Sequence, residues 1–227
     1  MSVLLILASS SYATEGTVYT EEDIEFKGDI VYDKKTNTPI NGFVKRHYNS
    51  GELWRQIPVA EGMVSGAIKD FYKSGKLKII APFFVDGEKH GHQLLYYESS
   101  ELMSDYLFDN GNITGVVKQY YKSGKLQRKA PVWNSKKNGV EIFYFESGTV
   151  KAKITYQSGK ERGEAKSYFK SGKLQSSTLC ENGVAISGSL YNEKGTKARM
   201  TKAYWKKINK KMAAGRLEDG TILEAAN

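Results

Sequence analysis

One cysteine, four prolines and three histidines are all that this 227-residue chain holds of the residues that staple, break or ligate. A lone Cys180 excludes an intrachain disulfide, so burial and backbone pairing must hold the fold together. His90 and His92 form a His-x-His pair that could face one metal from a strand. The third histidine, His47, lies about two repeats away, and no cysteine or carboxylate cluster sits near the pair, so no metal is expected. Long apolar runs are missing as well. Residues 1–13 are too short to span a bilayer, and no later run qualifies. The chain carries no P-loop, no kinase-type Gly-rich loop and no catalytic Asp motif. Without a constellation of nucleophile, base or metal, neither an enzyme nor a cofactor is expected.

Acidic residues are absent from residues 197–216, which carry eight basic ones. That stretch accounts for most of the net charge of +9 and leaves about +1 for the rest of the chain. A near-neutral body argues against a nucleic-acid binder, which would carry charge along a groove or face. At the other end, residues 1–8 are apolar, and Ser11-Tyr12-Ala13 places small residues at −3 and −1 of a cut after Ala13. This predicts export to the periplasm or cell envelope. No basic n-region precedes it, which predicts a true start further upstream. A short apolar strand capping a cytoplasmic protein is the alternative.

What the chain has in abundance is repetition. Tyr48-Asn49-Ser50-Gly51-Glu52-Leu53 recurs at residues 72–77, 97–102, 121–126, 145–150 and 169–174, and in weaker form at 191–196. The leading aromatics step by 24, 25, 24, 24, 24 and 22 residues. A fixed period of this length marks a repeat array. In each unit a short strand opens on glycine, as at Gly115 or Gly139. A Gly-bearing turn follows, and then a second strand, which makes a β-hairpin. Apolar slots in the second strand fall at 0, +4 and +6 from its leucine, with Arg55, Ser104, Arg128 and Ser176 intruding at +2. Pro58, Pro82 and Pro131 share the +5 slot; lacking an N–H, they predict an unpaired position at a strand end or bulge.

A single hairpin is marginal in water, and stacking lets each cover the next. The predicted fold is therefore all-β: an elongated, single-layer array of tandem hairpins with a short C-terminal amphipathic α-helix. The expected organisation is a signal segment at 1–13, a lead-in at 14–29, seven hairpin repeats at 30–196, a basic amphipathic helix at 197–215 and a tail at 216–227. Residues 28–39 resemble a degenerate unit.

Two features are not consumed by the repeat. Tyr96, Tyr120, Tyr144 and Tyr168 precede the leading aromatics, and strand alternation puts them on the opposite face, as an outer row that either packs ring on ring from one repeat to the next or stacks on a partner. In the tail, Met200, Tyr204, Ile208 and Met212 recur every four residues, with Lys202, Trp205, Lys206, Lys207, Lys210 and Lys211 around them. That stripe predicts a cap on the array, or a helix for an anionic membrane surface or acidic partner. Cys180 occupies the +6 apolar slot and reads as core.

The unit resembles the bacterial variant of the MORN repeat. The resemblance rests on the aromatic-aromatic-x-Ser-Gly-x-Leu phrase and on the joint seen in Asp86-Gly87-Glu88-Lys89-His90-Gly91 and Asn110-Gly111-Asn112-Ile113-Thr114-Gly115. It covers about residues 30–196. It implies an interaction module that binds an unidentified protein partner or an envelope component. Many proteins of this family carry the label of a YwqK-type antitoxin, which implies, as an alternative, a cytoplasmic protein that neutralises a toxin.

Overall fold

A computed structural model describes residues 16–85 and 88–199 of the protein. Each recurring phrase folds as the same turn. The leading amide donates to the carbonyl four residues on, from Tyr48 to Glu52 and from Tyr121 to Lys125, both at 2.9 Å. The fourth residue returns a bond to the leading carbonyl, from Gly51 to Tyr48 and from Gly124 to Tyr121. That closure needs a left-handed residue, and Gly75 and Gly124 supply it at φ 79° and 78°. In the third unit Ser100 takes the same conformation at φ 82°.

Just before each turn the pairing slips by one residue, at Asp70/Phe71, Leu95/Tyr96, Gln119/Tyr120, Phe143/Tyr144 and Ser167/Tyr168. Such a bulge bends its strand and strengthens the local twist.

Among the described residues, eighteen strands join in one sheet. From Gly42–His47 to Lys197–Arg199 it is an antiparallel meander in chain order. Thr17–Tyr19 closes its first edge by pairing in parallel with Gly42–His47. The fold is the all-β hairpin array that the period predicts.

The prolines mark where strands break. After Pro58 the returning strand splits into Met63–Val64 and Ile68–Phe71, and after Pro131 into Lys136–Lys137 and Gly139–Tyr144. Pro82 divides its own strand into Leu77–Ala81 and Phe83–Val85. Where Leu107, Thr155 or Leu179 holds the slot, both strands run unbroken for eight or nine residues. The ring also needs room: a Cβ on Gly139 would meet Pro131 Cγ at 3.2 Å, and one on Gly66 would meet Pro58 Cγ at 3.3 Å.

Hydrogen bonds tie the hairpins together at both ends. At the turn end, the hydroxyls of Tyr48, Tyr72, Tyr97 and Tyr121 donate to the carbonyls of Phe71, Tyr96, Tyr120 and Tyr144 in the next unit. At the joint end, the amides of Gly111, Ser135, Gly159 and Gly183 donate to the carbonyls of Lys89, Ile113, Lys137 and Glu161. Two clusters of buried residues anchor the array. Ile24, Val31, Ile40, Val44 and Val59 form one, and Phe143, Ala152, Ile154, Ala165, Cys180 and Ala185 the other.

The structure differs from the sequence-based organisation in three places. Residues 28–39 do not form a rung: Ile24–Lys27 and Ile30–Asp33 pair as a separate two-stranded sheet whose Ile24 and Val31 pack into the first cluster. In the seventh unit the turn closes on Asn192, whose amide donates to Thr196 and whose carbonyl accepts from Gly195. Tyr191 therefore stands in the slot before the turn, because polar Asn192 has replaced the leading aromatic. Finally, Lys197–Arg199 is not the start of a helix. It pairs with Val184–Tyr191 and completes the last hairpin. The rest of the predicted helix, the signal segment and the tail at 216–227 lie outside the described residues.

Candidate binding face

Alternation along the strands divides the sheet into a packed face and an open face. The +2 slots lie on the packed face, in one continuous cross-strand row. Arg55 stands opposite Asp70, Ser104 opposite Gln119, Gln119 opposite Arg128, and Ser167 opposite both Ala152 and Ser176. The polar intrusions read from the sequence therefore find partners in register. Arg55 grips Asp70 with two bonds of 2.6 and 2.8 Å, and this pairing holds its guanidinium above its ordinary pKa. Ser167 and Ser176 share a bond of 2.6 Å.

The densest charge network on this face centres on Glu141, which is 1% exposed. Arg128 Nε donates to one of its oxygens at 2.5 Å and Lys137 Nζ to the other at 2.9 Å. Lys137 also sits 4.7 Å from the Tyr156 ring centroid, and the Tyr156 hydroxyl donates to Glu161 at 3.4 Å. Burial pushes the Glu161 carboxyl and the Tyr156 hydroxyl above their ordinary values. Cys180 is 3% exposed, and burial beside Glu161 pushes its thiol up to about 12. A thiol so placed is neutral at physiological pH, which suits a core residue and not a nucleophile.

The open face has a different chemistry. A groove of about 660 Å³ runs across its strands. Leu107, Val116, Pro131, Val140 and Ile142 line it, with Lys118 and Lys129. One end is occupied by Asp105, which pairs with His92 at 2.6 Å. Val116 and Val140 are 46% and 42% exposed, and Trp133, two residues beyond Pro131, is 71% exposed. Parallel to these apolar residues runs a line of cations. Lys118 stands directly opposite Lys129, Lys129 opposite Ile142, Ile142 opposite Lys153, and Lys153 opposite Lys166. Lys166 is bridged to Glu164 at 2.7 Å, whereas Lys118, Lys129 and Lys153 make no ion pair with any described residue. Like charges directly across a ladder repel.

This row corrects the inference that no face of the body carries concentrated charge. The lysines recur three residues before the leading aromatic, at Lys45, Lys69, Lys118 and Lys166, and three after Leu126 and Val150, at Lys129 and Lys153. Acidic residues in other slots cancel them in the total, so only a slot-by-slot alignment of charge would have exposed the row.

The residues singled out from sequence are placed as follows. Tyr96, Tyr120, Tyr144 and Tyr168 are half-buried beside the bulges and do not form an exposed outer row. The carbonyls of the first three accept the tyrosine hydroxyls of the preceding unit, and Tyr144 borders a small notch of about 230 Å³. His90 and His92 face separate carboxylates, Asp109 at 3.3 Å and Asp105 at 2.6 Å. Among the described residues, no group of three or more His, Cys, Asp or Glu is gathered as a metal site. Lys202, Trp205, Lys206, Lys207, Lys210 and Lys211 lie outside the described residues.

Fold and surface together define a β-hairpin repeat array with one face given to packing and the other left open. The family model of the MORN repeat variant matches residues 113–134, 137–158 and 161–179, so these three consecutive units are MORN-variant repeats. Repeats of this kind are generally protein- or membrane-binding modules. No curated protein matches the chain. The solved structures that align with it include the following two. One is an S. aureus TarM mutant in complex with Fondaparinux, alpha-GlcNAc-glycerol and UDP, at 10% identity and a TM-score of 0.25, over 62% of this chain and 23% of that one. The other is a GtfA/B complex bound to UDP and GlcNAc, at 13% identity and a TM-score of 0.22, over 71% of this chain and 31% of that one. The chain thus spans less than a third of the length of either, and similarity at this level carries no weight.

Proposed function

We propose that this is a non-enzymatic binding or scaffold protein that works through the open face of its array, on partner proteins or envelope components outside the cytoplasm. The observation that carries this reading is the contrast between the faces. The packed face spends most of its polar groups on one another, the buried Thr178 hydroxyl excepted, whereas the open face leaves apolar side chains and unpaired lysines in water around residues 105–166. The signal-like residues 1–13 support export. A photo-crosslinking residue at Val140, in the full chain in its own cells, tests the surface. Adducts are expected from Val140 and not from Ser123 in the neighbouring turn. Equal yields, or none from Val140, contradict the reading. N-terminal sequencing tests export: mature protein is expected to begin near Thr14, and a soluble cytoplasmic form that retains Met1 contradicts it.

A further inference from the structure

We infer that the groove on the open face takes an acidic amphipathic helix of a partner protein, lying across the strands. The inference rests on the binding-face reading and deepens it.

Charge sets the sign of the partner. Lys118 and Lys129 stand opposite each other with no ion pair to a described residue, and Lys153 extends the line two strands on. Asp105 stands opposite Lys118 on its other side and offsets part of this charge at that end, so the surplus lies toward Lys129 and Lys153, where a partner's carboxylates would relieve it. Asp105 and His92 close one end of the groove. An acidic partner is turned away there by Asp105, which fixes where it stops.

Shape sets the class. The apolar line through Val116, Pro131 and Val140 lies two residues along the strands from the lysine line, about 7 Å away. From Lys118 to Lys166 the lysine line crosses four strand spacings, about 19 Å. An extended peptide sends alternate side chains to opposite sides and presents only one line to the sheet. A helix presents an apolar stripe with charged residues beside it, and about 13 residues cover 19 Å. An anionic bilayer is continuous and cannot stop short of Asp105, which carries the same sign. A nucleic-acid backbone would cover the apolar floor with phosphate and gain nothing from it.

The test uses the intact protein and fluorescein-labelled synthetic helices of about 14 residues, read by anisotropy. One peptide carries a leucine stripe flanked by glutamates; a second has the same composition with the stripe scrambled. The striped peptide is expected to bind at least about tenfold more tightly. The Lys118→Glu, Lys129→Glu double variant and Val140→Asp are each expected to weaken it by about tenfold, and Lys122→Glu, Lys125→Glu in the exposed turn by less than about twofold. Circular dichroism verifies that each variant is folded. No binding of the striped peptide, or equal binding of the scrambled one, overturns the helix assignment. So does capture of phosphatidylglycerol vesicles or a single-stranded oligonucleotide in its place. If Val140 still crosslinks in cells while the striped peptide fails, the occupant is wrong and the binding face stands; if both fail, both fall.

Discussion

The Tyr121 hydroxyl donates to the Tyr144 carbonyl at 2.6 Å, joining the turn of one hairpin to the bulge of the next. The same bond recurs from Tyr48, Tyr72 and Tyr97. It ends where phenylalanine takes the leading slot, at Phe145 and Phe169. Tyr121→Phe is expected to cost about 1 kcal/mol of stability, and Phe145→Tyr, which can reach the Tyr168 carbonyl, to add a similar amount. Urea unfolding measures both. If Phe145→Tyr destabilises, the units do not share one turn geometry.

Ser100 fills a turn position held by glycine in the other units, at φ 82°. Ser100→Gly removes the steric cost of a left-handed serine and is expected to stabilise the protein by about 1 kcal/mol, net of the added freedom of the unfolded chain. A lower melting temperature would show that the serine side chain contributes more than its backbone costs.

Glu141 depends on two cations in a nearly dry site. Arg128→Leu leaves its charge with Lys137 alone and is expected to cost about 3 kcal/mol or more, whereas Arg128→Leu with Glu141→Leu should recover most of that loss. A double-mutant cycle by chemical denaturation gives the coupling. Additive single effects would mean that the pair is not coupled.

Burial raises the Glu161 carboxyl above its ordinary value of 4.5, against hydrogen bonds from Tyr156 and Cys180 that pull it down. The folded state therefore holds this proton more tightly than the unfolded chain does. Its stabilising contribution is complete below the unfolded value and is lost as pH rises through the raised folded value. Glu161→Gln keeps a neutral side chain at every pH. Its melting temperature relative to the parent should rise between about pH 4 and about pH 7. A constant difference across that range contradicts the raised value.

The period, the turns and the breaks at proline were legible because each is local and repeated. Six copies of the phrase reveal the turn, and Pro58, Pro82 and Pro131 announce the interrupted ladder by lacking an N–H. The open face was not legible for two physical reasons. The bulge before each turn upsets simple alternation, so Tyr96, Tyr120, Tyr144 and Tyr168 are half-buried instead of forming an outer row. The lysines of the open face lie far apart in sequence, and pairing register alone brings Lys118 opposite Lys129 and Lys153 opposite Lys166. Trp133 ends the strand Leu126–Trp133 in a slot that holds Asp109, Gln157 or Glu181 in other units, so no repeated apolar signal marked it.

The most direct measurement of the central claim is a lysine acylation footprint, taken on the protein in its own cells and again after purification. The account predicts that Lys118, Lys129 and Lys153 are protected in cells and become reactive on purification, while the turn lysines Lys122, Lys125 and Lys170 label equally in both. Equal labelling of the open-face lysines in both settings would contradict it.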